Sequence, residues 1–187
     1  EIDELYRGEV EQGVNDYYTR EGMAVFNTEN TLWQSLFGLV FWHELFVESP
    51  YPPCNEFDIY PQVLRLGNFY EAQSTQIDAR LKSCSTNQAL LNLVCKHAAQ
   101  YFEQPNGLFR WRSNLLEPLE ALILNSPLEA LIAHLTAMSK HYLQLKDGYP
   151  DLMVINNGQV HFEEVKAPGD KLRRNQLTTI DNLKNVG

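Results

Sequence analysis

Apolar residues recur every three or four positions through the first two thirds of the chain, with polar residues between them. This spacing is typical of amphipathic helices. Breaks rich in proline or containing glycine, at 49–53 and 104–107, separate the helical segments. Near the end of the chain the pattern changes to short alternating runs that indicate strands. We therefore predict a mainly helical chain that ends in a β element, with helices at about 2–20, 29–47, 75–83, 86–103 and 127–144.

The dipeptide Asn157-Gly158 lies between two of the strand-like runs. Asn-Gly is the strongest short-range signal for a two-residue type I′ hairpin loop, because both residues tolerate positive φ. This loop sets an antiparallel register in which Asp151 faces Glu164. Side chains alternate along a strand, so the hairpin has two faces. The first face carries Asp151, Met153, Ile155, Val160, Phe162, Glu164 and Lys166, and the second carries Leu152, Val154, His161, Glu163 and Val165.

The first face is apolar and ends in Asp151 and Glu164, with Lys166 beside them. Opposed carboxylates have Cβ atoms ~4.5–5.5 Å apart and repel each other. A divalent cation would remove that repulsion, and carboxylate oxygens suit Mg²⁺ or Mn²⁺. The register assigns Glu163 to the other face, and a slip of one residue would reverse this choice. The alternative is an acid at a strand start and an exposed Glu164/Lys166 ion pair, but the apolar neighbours favour the metal site.

A third acid, Glu29, follows the cap-type residues Asn27 and Thr28 at the predicted start of the second helix. Helical spacing places it on one face with Leu32 and Leu36. From the residues alone, Glu29 is either a further acid of the site or an exposed acid of the first turn, favoured there by the helix dipole.

Two sets of motifs carry a resemblance to known nucleases, one near the end of the chain and one near its start. Gly148-Tyr149-Pro150-Asp151, Glu164-Val165-Lys166 and the stretch 169–176 together resemble the VRR-type branch of the PD-(D/E)xK nuclease superfamily. The stretch 28–42 resembles the segment by which the Fanconi-associated nuclease family supplies its first acidic ligand from a helix. The resemblance spans roughly residues 12–187.

The resemblance implies a role for each matching residue. Glu29, Asp151 and Glu164 would bind Mg²⁺ or Mn²⁺ together with the Val165 carbonyl, and Lys166 would orient or activate the attacking water. A helix after the hairpin would be capped by Gly169-Asp170 and would place Gln176 near a carboxylate ligand or the phosphate. Its apolar face is predicted to be Leu172, Leu177, Ile180, Leu183 and Val186. Substrate contacts are expected from Gln176, Lys171, Arg173 and Arg174.

The fold that the resemblance implies is an α/β, restriction-endonuclease-like PD-(D/E)xK core, predominantly helical, in one domain over 1–187. A helical insertion would occupy about 50–145, and the catalytic hairpin and helix would occupy 148–187. The last core strand would begin where this chain ends, at Gly187. The chain reads as a fragment of a longer protein.

The chain has a formal net charge of −9, which opposes binding to nucleic acid if it is taken as a whole. The charge is uneven, because residues 1–60 hold twelve Asp and Glu against two Arg. We therefore expect further DNA-binding modules in the parent chain. Three cysteines without Cys-x-x-Cys spacing indicate neither a disulfide framework nor a zinc site. No apolar run is long enough for a membrane span.

We interpret the chain as a metal-dependent, structure-selective nuclease that cuts branched or flapped DNA near 5′ flaps or 5′ ends in DNA repair of the interstrand-crosslink type. The resemblance implies a monomer, because the helical insertion would obstruct a dimer. It also implies an intracellular location, in the cytoplasm or nucleoid of a bacterium or the nucleus of a eukaryote. Two alternatives stay open: a dimeric Holliday-junction resolvase, and an inactive helical module that binds a partner protein.

Overall fold

The computed structural model describes residues 10–51, 55, 57–166 and 171–184. Most of them are helical, and in this part of the chain no helix is both long and apolar enough to cross a membrane. The helices are α1 (Val10–Arg20), α2 (Glu29–Val40), α3 (Gln62–Leu66), α4 (Phe69–Ser83), α5 (Asn87–Gln100), α6 (Leu116–Asn125), α7 (Leu128–Lys140), α8 (Tyr142–Leu145) and α9 (Arg174–Leu183). The strands are β1 (Ala24–Asn27), β2 (Leu152–Asn156) and β3 (Gln159–Glu163).

The described strands form one antiparallel sheet in the order β1–β2–β3. The predicted hairpin register is confirmed, since Leu152 pairs with Glu163 and Asn156 with Gln159. Asn157 has φ 51° and Gly158 has φ 75°, as a type I′ loop requires. The sequence analysis missed β1. This strand has only four residues, too few for an alternating pattern, and it is held by pairing with β2 rather than by its own propensity.

The core is built around α2, which packs against α5 and α6. From Leu32 onward, large apolar side chains of this helix are buried on several sides, and Trp33, Leu36 and Phe37 are fully buried. The predicted helix 29–47 is not continuous. The α-helix ends at Val40, and a π-helical turn, His43–Val47, follows it. That turn buries Glu44, whose carboxylate forms an ion pair with Arg80 of α4 at 3.0 Å.

Other helix boundaries differ from the prediction for local reasons. Helix α4 begins at Phe69 rather than near 75, and the predicted helix 127–144 is two helices, α7 and α8. The sequence analysis missed α3 and α6. Helix α6 carries Pro118 in its first turn, where a missing N–H costs nothing because that group has no partner within the helix. The first predicted helix begins at Val10 in the described part, and positions 2–9 lie outside it.

The predicted apolar face of α9 is wrong in part. Leu172 and Leu177 are 43% and 53% exposed, whereas Thr179 and Leu183 are buried. One of the two buried positions is therefore polar. Thr179 faces the body of the protein, and its Oγ1 donates to the Asp147 carbonyl at 3.0 Å. The predicted cap at Gly169-Asp170 is wrong, because α9 begins at Arg174 and its N-cap residue is Arg173. The predicted contact of Val186 lies outside the described residues.

Candidate active site

The acidic ends of β2 and β3 meet at Asp151, one residue beyond the last paired residues of the hairpin. The Val165 N–H donates to Asp151 Oδ2 at 2.8 Å, so the Asp151 side chain lies against the segment that contains Glu164. One Asp151 carboxylate oxygen is thereby fixed by the backbone of the other strand. The hairpin register has placed two predicted site residues side by side.

Glu164 is the most enclosed acid of this group, with its side chain 9% exposed. Its Oε1 lies 2.5 Å from Lys166 Nζ and accepts a hydrogen bond from Gln176 Nε2 at 2.6 Å. Its Oε2 is buried and has no hydrogen-bond partner among the described residues. The alternative of an exposed surface ion pair therefore does not describe Glu164. A buried carboxylate oxygen without a partner carries an energetic cost that a hard cation would remove.

Glu29 lies at the start of α2, beside Asp151. The N–H groups of Thr28 and Glu29 both donate to the Asp151 carbonyl, at 2.9 and 3.3 Å. Glu29 is exposed and has φ 39°, in the left-handed region that non-glycine residues rarely adopt. Backbone strain of this kind clusters at functional sites. The structure thus brings the backbone of Glu29 to Asp151 and leaves its side chain towards solvent.

The three predicted metal-binding acids do not form a closed ligand set. Across the described ranges, no three His, Cys, Asp or Glu side chains come close enough together to hold a metal ion. The contacts show a reason for this arrangement. Glu164 is held towards Lys166 and Gln176, while Asp151 is held by the Val165 N–H. In this state the Lys166 ammonium partly neutralises the acids.

A fourth acid, Glu11 of α1, belongs to the same electrostatic environment and was missed by the sequence analysis. Its pKa is raised by partial burial and then by the negative charges of Asp151, Glu29 and Glu164, while Lys166 lowers it. Glu11 lies one helical turn before Asn15 on α1. The Asn15 side chain donates to Asn27 Oδ1, at the end of β1, at 3.3 Å, and this contact holds α1 beside the sheet. A sequence motif could not have identified it, because the pairing of α1 with β1 is a tertiary contact.

Gln176 links the start of α9 to Glu164. Its Oε1 accepts from the Arg173 N–H at 2.8 Å, and its Nε2 donates to Glu164. The prediction that this amide lies near a carboxylate of the site matches its position. Lys171, Arg173 and Arg174 are exposed at the same end of α9, where the helix dipole also favours an anion.

Two side chains of α2 that the sequence analysis did not single out fix the segment before Asp151. Asn30 Oδ1 accepts from the Tyr149 N–H at 3.1 Å, and Gln34 Nε2 donates to the Lys146 carbonyl at 2.8 Å. Both lie one helical turn apart, so they form a polar edge along the helix. Their effect is to hold Asp151 in position relative to Glu29.

The tyrosine of the Gly-Tyr-Pro-Asp segment anchors that segment in the core. Tyr149 is buried, stacks on Trp33 at a centroid distance of 5.6 Å and donates from its hydroxyl to the Leu145 carbonyl at 2.7 Å. His134 Nε2 lies 2.9 Å from the Tyr149 hydroxyl. Because that hydroxyl already donates, Nε2 must be the donor to it, and Nδ1 is left buried with no hydrogen-bond partner among the described residues. His134 is therefore neutral in the folded protein.

Acidification should destabilise the protein through His134. Burial lowers its pKa from 6.5 to about 4, so between these values the unfolded chain binds a proton that the folded chain does not. Stability is full above pH 6.5 and falls as the pH drops towards 4, by about 3 kcal/mol for this group. Urea unfolding of His134→Gln between pH 7 and 4 should show a correspondingly smaller loss than wild type. His161→Gln on exposed β3 is the control, and an equal loss in all three proteins would contradict the assignment.

Comparison with known protein families shows the family of the chain. A model of the VRR-NUC domain matches residues 85–187. The chain belongs to the VRR-NUC family. The matched region contains β2, β3 and α9, and therefore Asp151, Glu164, Lys166 and Gln176. The resemblance to VRR-type nucleases is confirmed.

Relatives of this VRR-NUC chain include several Fanconi-associated nucleases. The Fanconi-associated nuclease 1 homolog of Pseudomonas aeruginosa is 30% identical over 175 residues, covering 90% of this chain and 30% of the relative. Fanconi-associated nuclease 1 of Homo sapiens is 28% identical over 191 residues, covering 95% of this chain and 18% of the relative. This chain thus spans less than a third of either relative.

A solved structure, paFAN1 bound to 5′-flap DNA with a two-nucleotide flap and a gap, matches with a TM-score of 0.82 and 25% identity. The match covers 94% of this chain and 32% of that chain. A second structure of paFAN1, bound to DNA with a one-nucleotide 5′ flap and a gap, matches with a TM-score of 0.80 and 26% identity. The helical architecture with its small antiparallel sheet is therefore shared with a DNA-bound nuclease.

Proposed function

We propose that this chain is the catalytic part of a metal-dependent, structure-selective DNA nuclease that hydrolyses phosphodiester bonds near 5′ flaps. The observation that carries the proposal is the buried Glu164 carboxylate, which contacts Lys166 and Gln176 and has one oxygen without a hydrogen-bond partner among the described residues. Asp151 is held against the same segment by the Val165 N–H. Membership of the VRR-NUC family and the similarity to paFAN1 bound to flap DNA support it.

In this proposal Asp151, Glu164, Glu29 and the Val165 carbonyl would hold Mg²⁺ or Mn²⁺. The donors are all oxygen, which suits these ions. The bound ion supplies Lewis-acid polarisation of the phosphate that is attacked. The core would be of the restriction-endonuclease-like PD-(D/E)xK type, since the acids come from a hairpin and from the start of a helix beside it.

The remaining residues would act on the phosphate and on the attacking water. Lys166 carries its ammonium next to Glu164, where it can orient that water and neutralise charge that develops on the phosphate. Lys171, Arg173 and Arg174 would contact the phosphate backbone from the exposed start of α9.

We propose that the protein acts as a monomer inside the cell. DNA contacts outside this chain would supplement it, because its net charge is −9.

The test is cleavage by the full-length protein of matched 5′-flap, 3′-flap and four-way-junction DNA, with Mn²⁺, with Mg²⁺ and with chelator. We expect cleavage of the 5′ flap with either metal, none with chelator, and loss of cleavage in Asp151→Asn with DNA binding retained. Calorimetric titration should show Mn²⁺ binding in the wild type that is weakened in Asp151→Asn. Symmetric paired nicks on the four-way junction, made by a dimer, would instead favour a resolvase. Absence of both cleavage and Mn²⁺ binding in wild type and in Asp151→Asn would favour an inactive module.

Gln176 should act as a positioning residue for Glu164. Gln176→Glu keeps an oxygen that can accept from the Arg173 N–H, but it removes the donor to Glu164 and adds a like charge. We expect Mn²⁺ affinity and cleavage to fall by about 10–100-fold, the usual effect of losing a partner of a metal ligand. Helix content and the free energy of unfolding should change little. Thr178→Ala, on the exposed side of α9, serves as the control, and equal activity in both variants would refute the role.

A further inference from the structure

A small cleft opens between the first two turns of α2 and the segment that leads into α6. Its volume is about 50 Å³, several times the ~10–15 Å³ that one water molecule needs by this measure. The cleft therefore has room for a group larger than a single water. Its polar lining consists of Asn27, Thr28, Thr31, Ser35, Arg112 and Asn114.

Hydroxyl groups line the helix side of this cleft. Thr28, Thr31 and Ser35 follow one another at helical spacing along one face of α2. Ser35 is fully buried, and its Oγ has no hydrogen-bond partner in the described part of the chain. Leaving such a group unpaired is unfavourable. An acceptor that enters the cleft would satisfy it.

The charge of the cleft selects an anion. Arg112 is the one charged residue among the described residues that line it, although the chain as a whole is strongly acidic. The positive end of the α2 dipole lies at Thr28 and Thr31. A guanidinium, hydroxyl donors and the side-chain amide of Asn114 make a donor set that suits a phosphate.

The cleft adjoins the candidate active site. Thr28 is the residue before Glu29, and its N–H donates to the Asp151 carbonyl at 2.9 Å. Thr28 therefore belongs both to the lining of the cleft and to the backbone contact that joins α2 to Asp151. A group bound there would be a neighbour of a phosphodiester bound at Asp151 and Glu164.

We propose that this cleft binds an internal phosphate of the DNA strand being cut, one or two linkages from the bond that is hydrolysed. The inference rests on the proposed nuclease function and assigns one of its substrate contacts. Arg112 and Asn114 hold the phosphate from the α6 side, and the hydroxyls of Thr31 and Ser35 donate to it from α2. The contact sets the register of the strand relative to Asp151. If the cleft instead holds only ordered water, substitution of Arg112 or Ser35 should leave the KM for DNA unchanged.

Neutral linkages test the proposal with the full-length protein. A set of 5′-flap substrates, each carrying one methylphosphonate in place of a phosphodiester near the cut, is assayed with wild type, Arg112→Gln and Arg110→Gln. Arg110 is an exposed arginine two residues away that does not line this cleft. We expect one or two internal positions at which the neutral linkage raises the KM of wild type about tenfold or more. Arg112→Gln should show the raised KM already with unmodified DNA. A methylphosphonate at those positions should not raise the KM of Arg112→Gln further.

Arg110→Gln should keep the wild-type sensitivity at the same positions. Ser35→Ala gives a second variant of the cleft and should lose part of the sensitivity without losing the fold, since a hydroxyl is replaced by hydrogen. Retention of full sensitivity in Arg112→Gln would overturn the phosphate assignment, while cleavage that depends on Asp151 would leave the proposed function intact. Absence of cleavage by wild type with Mn²⁺ would instead refute the function itself. Sensitivity confined to the terminal 5′ phosphate would also overturn the assignment.

Discussion

Glu164→Gln should reduce 5′-flap cleavage by more than about 100-fold, whereas Glu163→Gln should leave it close to wild type. Glu163 is the last residue of β3 and Glu164 follows it, and neighbouring side chains of an extended segment point to opposite faces. Glu163 contacts Tyr18 of α1. Glu164 contacts Lys166 and Gln176, and one of its oxygens is buried without a partner in the part of the chain that the structure describes. Glutamine has the same shape, so the loss would come from the missing charge rather than from a cavity.

The pair of variants separates a site role from a general effect of charge. Each removes one negative charge from adjacent positions of the chain, so solubility, net charge and long-range attraction of DNA change equally. Single-turnover cleavage rates with saturating Mn²⁺, together with calorimetric Mn²⁺ affinity, are the measurements. Equal activity in the two variants, or a larger loss in Glu163→Gln, would place the functional acid on the other face and remove the basis of the proposed site.

The sequence predicted the hairpin because a local rule decides it. Asn157 and Gly158 both need positive φ, and a two-residue loop fixes the register of everything that follows outward. The relation of Asp151, Glu164 and Lys166 was therefore accessible from spacing alone. The same reasoning could not supply β1, whose position depends on hydrogen bonds to β2, more than one hundred residues later in the chain.

Helix α9 shows where pattern reasoning fails. The pattern predicts Leu172, Leu177 and Leu183 on the inward face, but only Leu183 of these is buried. The other buried side chain of the helix is Thr179, which the pattern did not predict. Thr179 can be buried because its hydroxyl donates to the Asp147 carbonyl at 3.0 Å, with the Asn175 carbonyl of its own helix as the alternative acceptor at 2.9 Å. A polar residue can thus replace an apolar one at a contact if its partners are provided. The partner outside the helix, Asp147, lies on a segment that α9 meets only in three dimensions.

The cleft beside Glu29 and the position of Glu11 could not be predicted for a related reason. Arg112 lies far from α2 in sequence, and nothing in its own neighbourhood marks it as a site residue. Ser35 looks like any serine on a helix until its burial without a partner is seen. Chemistry that depends on which surfaces meet is visible only after the helices have packed.

Gly148→Ala should destabilise the protein by about 2–5 kcal/mol and lower cleavage at least about tenfold. Gly148 has φ 86°, and a Cβ there would lie 2.8 Å from the Asn175 carbonyl carbon and 2.9 Å from the Gln176 nitrogen. Both atoms belong to the backbone of α9 and cannot move aside alone. The left-handed conformation costs a non-glycine residue roughly 1–2 kcal/mol, and forced overpacking adds about 1–3 kcal/mol.

The effect on cleavage follows from what α9 carries. The helix is docked through Asn175 Nδ2, which donates to Asp147 Oδ1 at 2.8 Å, and through Thr179. Moving α9 away from Gly148 would break these contacts and withdraw Gln176 from Glu164. The active site would then lose the group that orients its most buried acid.

Gly22→Ala is the matched control for this substitution. Gly22 has φ 81°, nearly the same conformation, but a Cβ there would meet nothing within 4 Å. Its cost should therefore be limited to the backbone term, and its activity should be that of wild type. The difference in free energy of unfolding between the two variants, measured by urea denaturation, isolates the contact with α9. Because the backbone terms cancel, a difference near zero would mean that α9 does not rest on Gly148, and the link from that glycine to Glu164 would be wrong.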